Sequence, residues 1–568
     1  MKIERIRNHS GPNIFSERPV LVMHVELDEE AASANPDWVG RLARSIPRAD
    51  VSPRKMRELR LAANPLAQAV KDAAVEMSAL LGFADVGGSV RFSGDPGVYE
   101  IALEYEHAGA AEFLLEAAVE AVAAALENRA FDLAGKIEAA RRIIDDGAAA
   151  RPDPGENLDA NSPPPRDARV PIVAITGTNG KTTVTRLVSH LLLASNRRVG
   201  TATTDGILLD GELVERGDTT GPASARAVLR MEAIDVAVLE TARGGIMRRG
   251  LGWEWADVGI VTNITEDHIG QDGIETVADL VNVKSLIAER VRANGTLILN
   301  AEDAESAALA RRPAVASVEK TIVYFALSEK NSLVARHLEN GGKAYFVRGG
   351  RLCEAAGSAP IVEIAETEKI PITMGGTADF QVQNALAAAA AARALDLTPE
   401  QIKAGLESFQ SVLHNQGRNN FYRVGEGYAL VDYGHNPKAI EAICRMTARW
   451  TGKTVTGIIS FPGDRRDDVI ETAGRIAVAG FDRIIVKGDV NLRGRESGEV
   501  ARMLCRIVLE AGRQRECEIV LDAAEAFEKA CAEIKKDEVI VFFYEKLPPV
   551  LATLEKYGAE PVTGFQPS

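Results

Sequence analysis

Residues 170–183 read VPIVAITGTNGKTT, and this stretch decides the fold of the larger part of the chain. The β-branched run at 170–175 predicts a short buried strand, and residues 181–195 have the apolar spacing of a helix. Between them, glycines in the turn let backbone N–H groups close around phosphate oxygens at the start of the helix. The strict Gly-x4-Gly-Lys-Ser/Thr pattern fails because residue 175 is isoleucine. The strand–turn–helix order still predicts a phosphate-binding loop.

Polar side chains end two further apolar runs. The run VAVLE ends in Glu240, and His268 closes VTNITEDH. In a loop of the predicted type, Lys181 reaches the β and γ phosphates and the Thr182 hydroxyl is a ligand of Mg²⁺. Sites in parallel sheets lie at the carboxyl ends of the strands. We therefore expect Glu240 and His268 beside the loop, where a carboxylate and an imidazole suit a metal position.

The chain of 568 residues is longer than one hydrophobic core usually organises. Residues 147–169 are rich in Pro, Asp, Asn and Ala, which predicts an exposed linker. Residues 1–146 predict an N-terminal α+β domain. After the linker, strands alternate with helices, which predicts an α/β fold whose central, mostly parallel sheet has helices on both faces. We assign this central domain to 170–410 and a C-terminal Rossmann-like α/β domain to 411–568.

These domains follow from specific apolar runs. The N-terminal domain has predicted strands at 20–27 and 98–105 and helical periodicity over 110–146. The C-terminal domain has predicted strands at 429–431, 455–459, 483–486 and 539–543.

The composition excludes several classes of function. A net charge of −15 argues against a nucleic-acid binder, which needs a basic surface. The first residues lack the apolar core of a signal peptide, and no segment supplies about 18 consecutive apolar residues, so we expect a cytoplasmic protein without a membrane partner. The five cysteines are scattered without metal-ligand spacing, which predicts free thiols.

The order of motifs resembles that of the Mur ligase superfamily, whose members activate a carboxylate as an acyl phosphate that an amine then attacks. The motifs are TGTNGKTT, LETARGG, TNITEDH and, further on, DYGHNP. The resemblance implies that ATP and Mg²⁺ are the cofactors and that Glu240 and His268 are metal ligands. It also matches Lys284 to a family lysine that is often carbamylated.

The resemblance assigns further residues by position. Asn384 matches a helix residue that contacts adenine, Arg418 an arginine that reaches the phosphates when the C-terminal domain closes, and Asp432 an aspartate that contacts ribose. The predicted nucleotide-binding residues are Thr178, Asn179, Gly180, Lys181, Thr182, Thr183, Asn384, Arg418 and Asp432. The predicted catalytic residues are Lys181, Glu240, His268, Lys284 and Arg418.

Longer stretches are similar to one branch of the superfamily. GDTTGP, ETARGG and FDRIIVKGDVNLRGR resemble the C-terminal ligase half of cyanophycin synthetases, and MKIERIRNHSGPN resembles their N-terminal domain. Those enzymes carry an ATP-grasp domain where this chain has the predicted linker. They also have a run of acidic residues before RGR, where this chain has Asp489 but also Val490 and Asn491. The amine pocket is therefore expected to differ.

We therefore predict an ATP-dependent amide ligase that joins an acidic acceptor to an amine, such as an amino acid. Arginine suits the acceptor carboxylate because its guanidinium donates two parallel hydrogen bonds. Two alternatives stay open: a nucleotide-binding regulatory or degenerate paralogue, and a ligase that extends a polyamide by repeated addition. A homo-oligomer is a further expectation. The predicted substrate-binding residues are Thr219, Thr220, Arg243, Gly244, Gly245, His435, Asn436, Asp489 and Arg493.

Overall fold

The computed structural model describes residues 1–9, 11–15, 19–27, 38–46, 64–83, 86–93, 98–105, 107–145, 170–267, 269, 274–488, 492, 494–512 and 517–563. The predicted linker at 147–169, His268, Asp489 and Arg493 lie outside these ranges. Within them the chain forms three β-sheets, each with its own helices.

The first sheet is antiparallel and four-stranded, in the order β1-β2-β4-β3. The predictions for 20–27 and 98–105 are confirmed as β2 and β4, and the helical region at 110–146 is two helices, α3 and α4. The elements are β1 (Lys2–His9), β2 (Val20–Glu26), α1 (Trp38–Ser45), α2 (Pro65–Leu80), β3 (Gly88–Phe92), β4 (Val98–Glu104), α3 (Ala108–Leu126) and α4 (Leu133–Asp145). We call these elements, with the loop at 11–15, the N-terminal unit.

The central sheet has eleven strands, of which the middle seven are parallel. Its strands are β5 (Ile172–Thr176), β6 (Val199–Thr203), β7 (Gly206–Leu209), β8 (Glu212–Arg216), β9 (Val236–Glu240), β10 (Ala256–Val261), β11 (Val291–Asn300), β12 (Thr321–Ala326), β13 (Lys343–Arg348), β14 (Arg351–Ala356) and β15 (Val362–Glu366). They lie in the order β15-β14-β13-β12-β11-β10-β5-β9-β6-β7-β8, with antiparallel strands only at the two edges.

Helices cover both faces of this sheet. They are α5 (Lys181–Ala194), α6 (Pro222–Leu229), α7 (Arg243–Arg249), α8 (Val277–Glu289), α9 (Ala304–Ala308), α10 (Pro313–Ala316), α11 (Ser332–Glu339), α12 (Asp379–Ala394) and α13 (Pro399–Ser408). Alternate residues of β5 enter separate cores: Ile172 packs with α6, α7 and α8, and Val173 with α5 and α12. Burial on both faces is the reason that the strand reads as a continuous apolar run.

The third sheet has seven strands in the order β20-β19-β18-β21-β17-β16-β22, and the first five are parallel. Its elements are α14 (Ser411–His414), β16 (Asn420–Val424), β17 (Gly427–Asp432), α15 (Pro437–Thr447), β18 (Thr454–Ile459), α16 (Asp467–Gly480), β19 (Arg483–Lys487), α17 (Glu499–Glu510), β20 (Glu518–Val520), α18 (Ala523–Glu533), β21 (Glu538–Phe543), α19 (Leu547–Lys556) and β22 (Glu560–Pro561). The four strands predicted here are confirmed, as is the mixed α/β fold.

One prediction about the cysteines is wrong. Cys505 in α17 forms a disulfide with Cys517, and the Cα atoms of the two residues lie 5.4 Å apart. Cys353, Cys444 and Cys531 are free, as predicted, and the structure shows that they are buried. A search of the described helices for one long and apolar enough to cross a bilayer finds none.

Candidate active site

A cavity of about 850 Å³ lies between the central and C-terminal sheets. The carboxyl ends of β5, β9 and β10 meet it from one side, and those of β17, β18, β19 and β21 from the other. Ten Lys or Arg and seven Asp or Glu residues are among the described residues that line it. The cavity therefore carries a positive excess within an acidic chain, which favours anionic ligands.

The predicted phosphate-binding loop forms the floor of this cavity. At Gly177, with φ of +151°, a Cβ atom would lie 1.9 Å from Thr262 Oγ1. The Thr178 amide donates to the Asn263 carbonyl, and the Asn179 amide to the Asn263 side chain, each at 2.9 Å. Residues 262–263, from the TNITEDH motif, therefore fix the shape of the loop.

Two lysines reach the same part of the loop. Lys181 Nζ donates to the carbonyl oxygens of Gly177 at 3.0 Å and Thr178 at 2.9 Å. Lys284 Nζ, from α8, donates to the Gly177 carbonyl at 2.7 Å. Burial lowers the pKa of Lys181, although Glu240 and Asp267 oppose it. Burial, followed by the charge of Lys181, lowers the pKa of Lys284 well below its ordinary value.

The buried ammonium of Lys284 should cost stability. Because its folded-state pKa is lowered, the unfolded chain binds more protons between that pKa and about 10.5, and stability rises with pH across this window. We expect Lys284→Met to raise the thermal midpoint at pH 7 by about 2 °C or more, and the gap from wild type to narrow as pH rises. Differential scanning calorimetry from pH 7 to 10 measures this. A variant less stable than wild type throughout would contradict it.

Glu240 lies at the centre of an oxygen-rich cluster. Its Oε1 accepts from the hydroxyls of Thr182 at 3.0 Å and Thr204 at 2.9 Å, and its Oε2 from the Thr204 amide at 3.1 Å. Carboxylate and hydroxyl oxygens are the donors that Mg²⁺ prefers, so the residues present fit this ion. Among the described residues, no group of three or more His, Cys, Asp or Glu is placed to hold a metal.

Thr204 was not among the predicted residues. It follows the carboxyl end of β6, a position that would have made it a candidate once that strand had been recognised.

Asp267 links the two sheets across the cavity and was also missed. Its carboxylate lies 3.4 Å from Arg465 Nη2 and 3.8 Å from His435 Nε2, and accepts from Asn436 Nδ2 at 3.3 Å. Asn436 also donates to Asn179 Oδ1 at 3.0 Å. Of the predicted residues, Asn436 therefore contacts the phosphate loop, and His435 lines the cavity beside Asp267. Burial lowers the pKa of His435.

Arg418 and Asp432 both line the cavity from the C-terminal side. The Arg418 guanidinium lies over the Tyr433 ring, 4.3 Å from its centroid. Asp432 accepts from the amides of Asn419 at 2.8 Å and Gly434 at 2.7 Å. Burial raises the pKa of Asp432, and the charge of Arg418 opposes this. The contacts of Asp432 hold the turn that carries Tyr433 and His435.

Asn384 lies against the phosphate-binding loop. A Cβ atom on Gly180, with φ of +87°, would lie 2.4 Å from Asn384 Oδ1. The Asn384 amide donates to Gln381 Oε1 at 3.0 Å, and both side chains line the cavity. Contact with adenine stays a prediction.

The predicted acceptor-binding residues divide into two groups. Thr220, Arg243, Gly244 and Gly245 line the cavity, together with Arg248 and Arg249 of α7. Thr219 is instead buried, and its hydroxyl donates to the Thr203 carbonyl at 2.7 Å. Through this hydrogen bond, Thr219 shapes the GDTTGP segment, and it is not among the residues that line the cavity.

The amine side is only partly described, because Asp489 and Arg493 lie outside the described residues. Lys487, at the end of β19, is buried and donates to Ser460 Oγ at 2.6 Å. Both residues line the cavity.

Two family models match the chain. The Mur ligase middle domain matches residues 175–392, and the Mur ligase glutamate ligase domain matches residues 417–543. Together they span more than half of the chain. The chain belongs to the Mur ligase family.

The chain is similar to two kinds of ligase within this family. Cyanophycin synthetase of Nostoc sp. strain PCC 7120 is 39% identical over 405 residues, which are 71% of this chain and 44% of that protein. The UDP-N-acetylmuramoyl-L-alanyl-D-glutamate–2,6-diaminopimelate ligase of Geobacillus kaustophilus is 26% identical over 389 residues, 66% of this chain and 73% of that protein. The chain thus spans less than half the length of the cyanophycin synthetases it matches.

A solved structure of a bifunctional folylpolyglutamate synthase/dihydrofolate synthase, with Mn, AMPPNP and L-glutamate bound, superposes with a TM-score of 0.49 at 16% identity. The superposition covers 70% of this chain and 91% of the chain of that structure.

Proposed function

We propose that the chain is an ATP-dependent carbon–nitrogen ligase that joins an acidic acceptor, such as an aspartyl group, to an amino acid. Because ATP is available there, we place this reaction in the cytoplasm. The observation that carries the proposal is the single cavity shared by the phosphate loop, the Glu240 cluster and Arg418. Membership of the Mur ligase family and the similarity to cyanophycin synthetases support it.

The proposed reaction has two steps. An oxygen of the acceptor carboxylate attacks the γ-phosphorus of ATP, and ADP leaves with the electrons of the broken P–O bond. The amine nitrogen then attacks the acyl carbon, phosphate leaves, and the nitrogen loses a proton to solvent. Lys181 and Arg418 stabilise the charge on the phosphoryl group. Mg²⁺, held by Thr182 and Glu240, would neutralise phosphate charge.

Lys181 now donates to loop carbonyls, and a bound polyphosphate would offer it stronger, charge-assisted hydrogen bonds. We propose that Thr220 and Arg243 hold the acceptor carboxylate, and that residues near the end of β19, including Asp489 and Arg493, contact the amine. The domain boundaries at 146, 169 and 410 belong to the same proposal. They are supported by the fact that each sheet takes all of its strands from one of these ranges.

An assay of product formation tests the proposal. The purified chain is incubated with ATP, Mg²⁺, acidic dipeptides and a panel of amino acids, and products are read by ADP release and mass spectrometry. We expect ADP and a single new amide for one combination. A ladder of products would favour the polymerising alternative. Binding of ATP without any new amide would favour the regulatory alternative and overturn the ligase proposal.

A further inference from the structure

The sheet of the N-terminal unit is buried on both of its faces. Leu21, Met23 and Val25 face the core that this unit's own helices cover. The alternate residues Val22 and His24 point to the opposite face and are only 1% and 3% exposed. Antiparallel sheets commonly leave one face to solvent. Phe15 of the loop at 11–15 packs on Val22 and covers part of this second face.

Helix α7, one of the helices that cover the central sheet, lies against this second face. It packs on β1, and Arg91 Nη1 of β3 donates to Met247 Sδ at 3.6 Å. Burial, followed by the charges of Arg7, His24 and Arg249, lowers the pKa of His9, at the end of β1, to about 3. The N-terminal unit therefore contacts the same short helix that brings three arginines to the cavity.

The loop at 11–15 fixes the end of α7. The Leu251 amide donates to the Pro12 carbonyl at 2.7 Å. At Gly250, with φ of +70°, a Cβ atom would lie 2.5 Å from the Pro12 oxygen and 3.0 Å from Asn13 Cβ. Asn13 braces the loop by donating to the Gly11 carbonyl at 3.0 Å and accepting from the Phe15 amide at 2.9 Å. The contact leaves no room for a side chain at residue 250.

The other side of α7 is equally close to the GDTTGP segment. A Cβ atom on Gly245 would lie 2.9 Å from the Thr220 carbonyl oxygen, and one on Gly252 would lie 2.3 Å from that of Pro222. Helix α7 is therefore held between the acceptor segment and the N-terminal unit. Since packed elements transmit displacement, a shift of the loop at 11–15 would move Arg243, Arg248 and Arg249 in the cavity.

We propose that the N-terminal unit is a positioning element of the ligase site, which fixes α7 so that its arginines bind the anionic acceptor. Pro12, Asn13 and Gly250 act through α7, and none of them is among the residues that line the cavity. This inference rests on the proposed function. It gives the N-terminal unit a role on the acceptor side that is separate from ATP binding.

The test compares two glycine substitutions at positive φ, one beside the loop at 11–15 and one in open space. Gly250→Ala removes the room for Pro12, whereas Gly452→Ala, at φ of +72° with no atom within 4 Å, does not disturb any contact. With the acidic dipeptide that wild type uses, we expect Gly250→Ala to raise KM for the dipeptide about tenfold. Its kcat and its KM for ATP should stay within about twofold of wild type, and Gly452→Ala should match wild type in all three.

Hydrogen exchange of the full chain supplies a readout that does not depend on activity. The Leu251 amide should be protected in wild type and in Gly452→Ala, and should lose protection in Gly250→Ala. If Gly250→Ala does not fold, Arg91→Leu removes the contact with Met247 without backbone strain, and a rise of about threefold in the dipeptide KM is expected.

The outcomes separate this inference from the proposed function. If wild type makes no amide, the ligase proposal fails first. If wild type is active but Gly250→Ala loses Leu251 protection with an unchanged dipeptide KM, or raises both KM values equally, the positioning role is overturned.

Discussion

Lys181→Ala is expected to lower kcat by about 10³-fold, the largest effect that we predict for a single substitution. The side chain is half-buried at the phosphate loop and would place a positive charge on the phosphoryl group as it transfers. Alanine leaves no group that can take this position. Initial rates of ADP release at saturating ATP measure the loss, since a defect in binding alone would be overcome there.

A second lysine, half-buried and away from the cavity, provides the control. Lys320 Nζ donates to the Ala288 carbonyl at 2.9 Å, and burial lowers its pKa to about 8. It is not among the residues that line the cavity. Lys320→Ala should therefore remain within about twofold of wild-type activity. Equal losses in the two variants would point to a general effect on the fold and would remove Lys181 from the site.

Glu240→Gln is expected to lower kcat by about 10²-fold and to raise the Mg²⁺ concentration needed for half-maximal rate. Glutamine can still accept from the hydroxyls of Thr182 and Thr204, so the hydrogen-bonded cluster should persist. What is lost is the negative charge that would hold the cation. Titration of activity with MgCl₂ at fixed ATP measures both effects.

Glu354 is a matched carboxylate away from the cavity. It pairs with Arg393 at 2.7 Å and is largely buried. Glu354→Gln should leave the Mg²⁺ titration of activity unchanged. A Glu240→Gln variant with the same Mg²⁺ requirement as wild type would contradict a role for Glu240 in holding the metal.

Much of the fold was predictable because local patterns and the global architecture agree. The run at 170–175 is buried on both faces, so its composition alone indicates a central strand. Strand β1 was not predicted because its sequence, KIERIRNH, has charged residues at both even and odd positions. Neither face of the strand therefore reads as apolar. Its pairing partner β2 supplies the apolar surface that the strand itself lacks.

Site residues that stand at the ends of strands were predictable from the sequence, and site residues in other positions were less so. Glu240 and Asp432 follow apolar runs directly, and the structure brings both to the same cavity. Asp267 and Arg465 come together only when the central and C-terminal sheets pack against each other, and no local sequence pattern predicts such a pair. Thr219 was predicted to bind the acceptor, but its hydroxyl donates to a backbone carbonyl instead. Polar residues beside a site often form such local hydrogen bonds.

The role of the N-terminal unit was invisible in the sequence for a similar reason. Gly250 is one of 49 glycines, and nothing in its neighbourhood distinguishes it from a helix-ending glycine. Only the approach of the Pro12 carbonyl shows that this position must lack a side chain.

In the proposed reaction, the acceptor carboxylate is activated as an acyl phosphate at the Lys181 loop. The most direct measurement uses an acceptor labelled with oxygen-18 in the carboxylate that reacts, followed by mass spectrometry of the phosphate released. An acyl-phosphate route transfers one labelled oxygen to phosphate for each amide formed. Unlabelled phosphate, released while the amide forms, would contradict it.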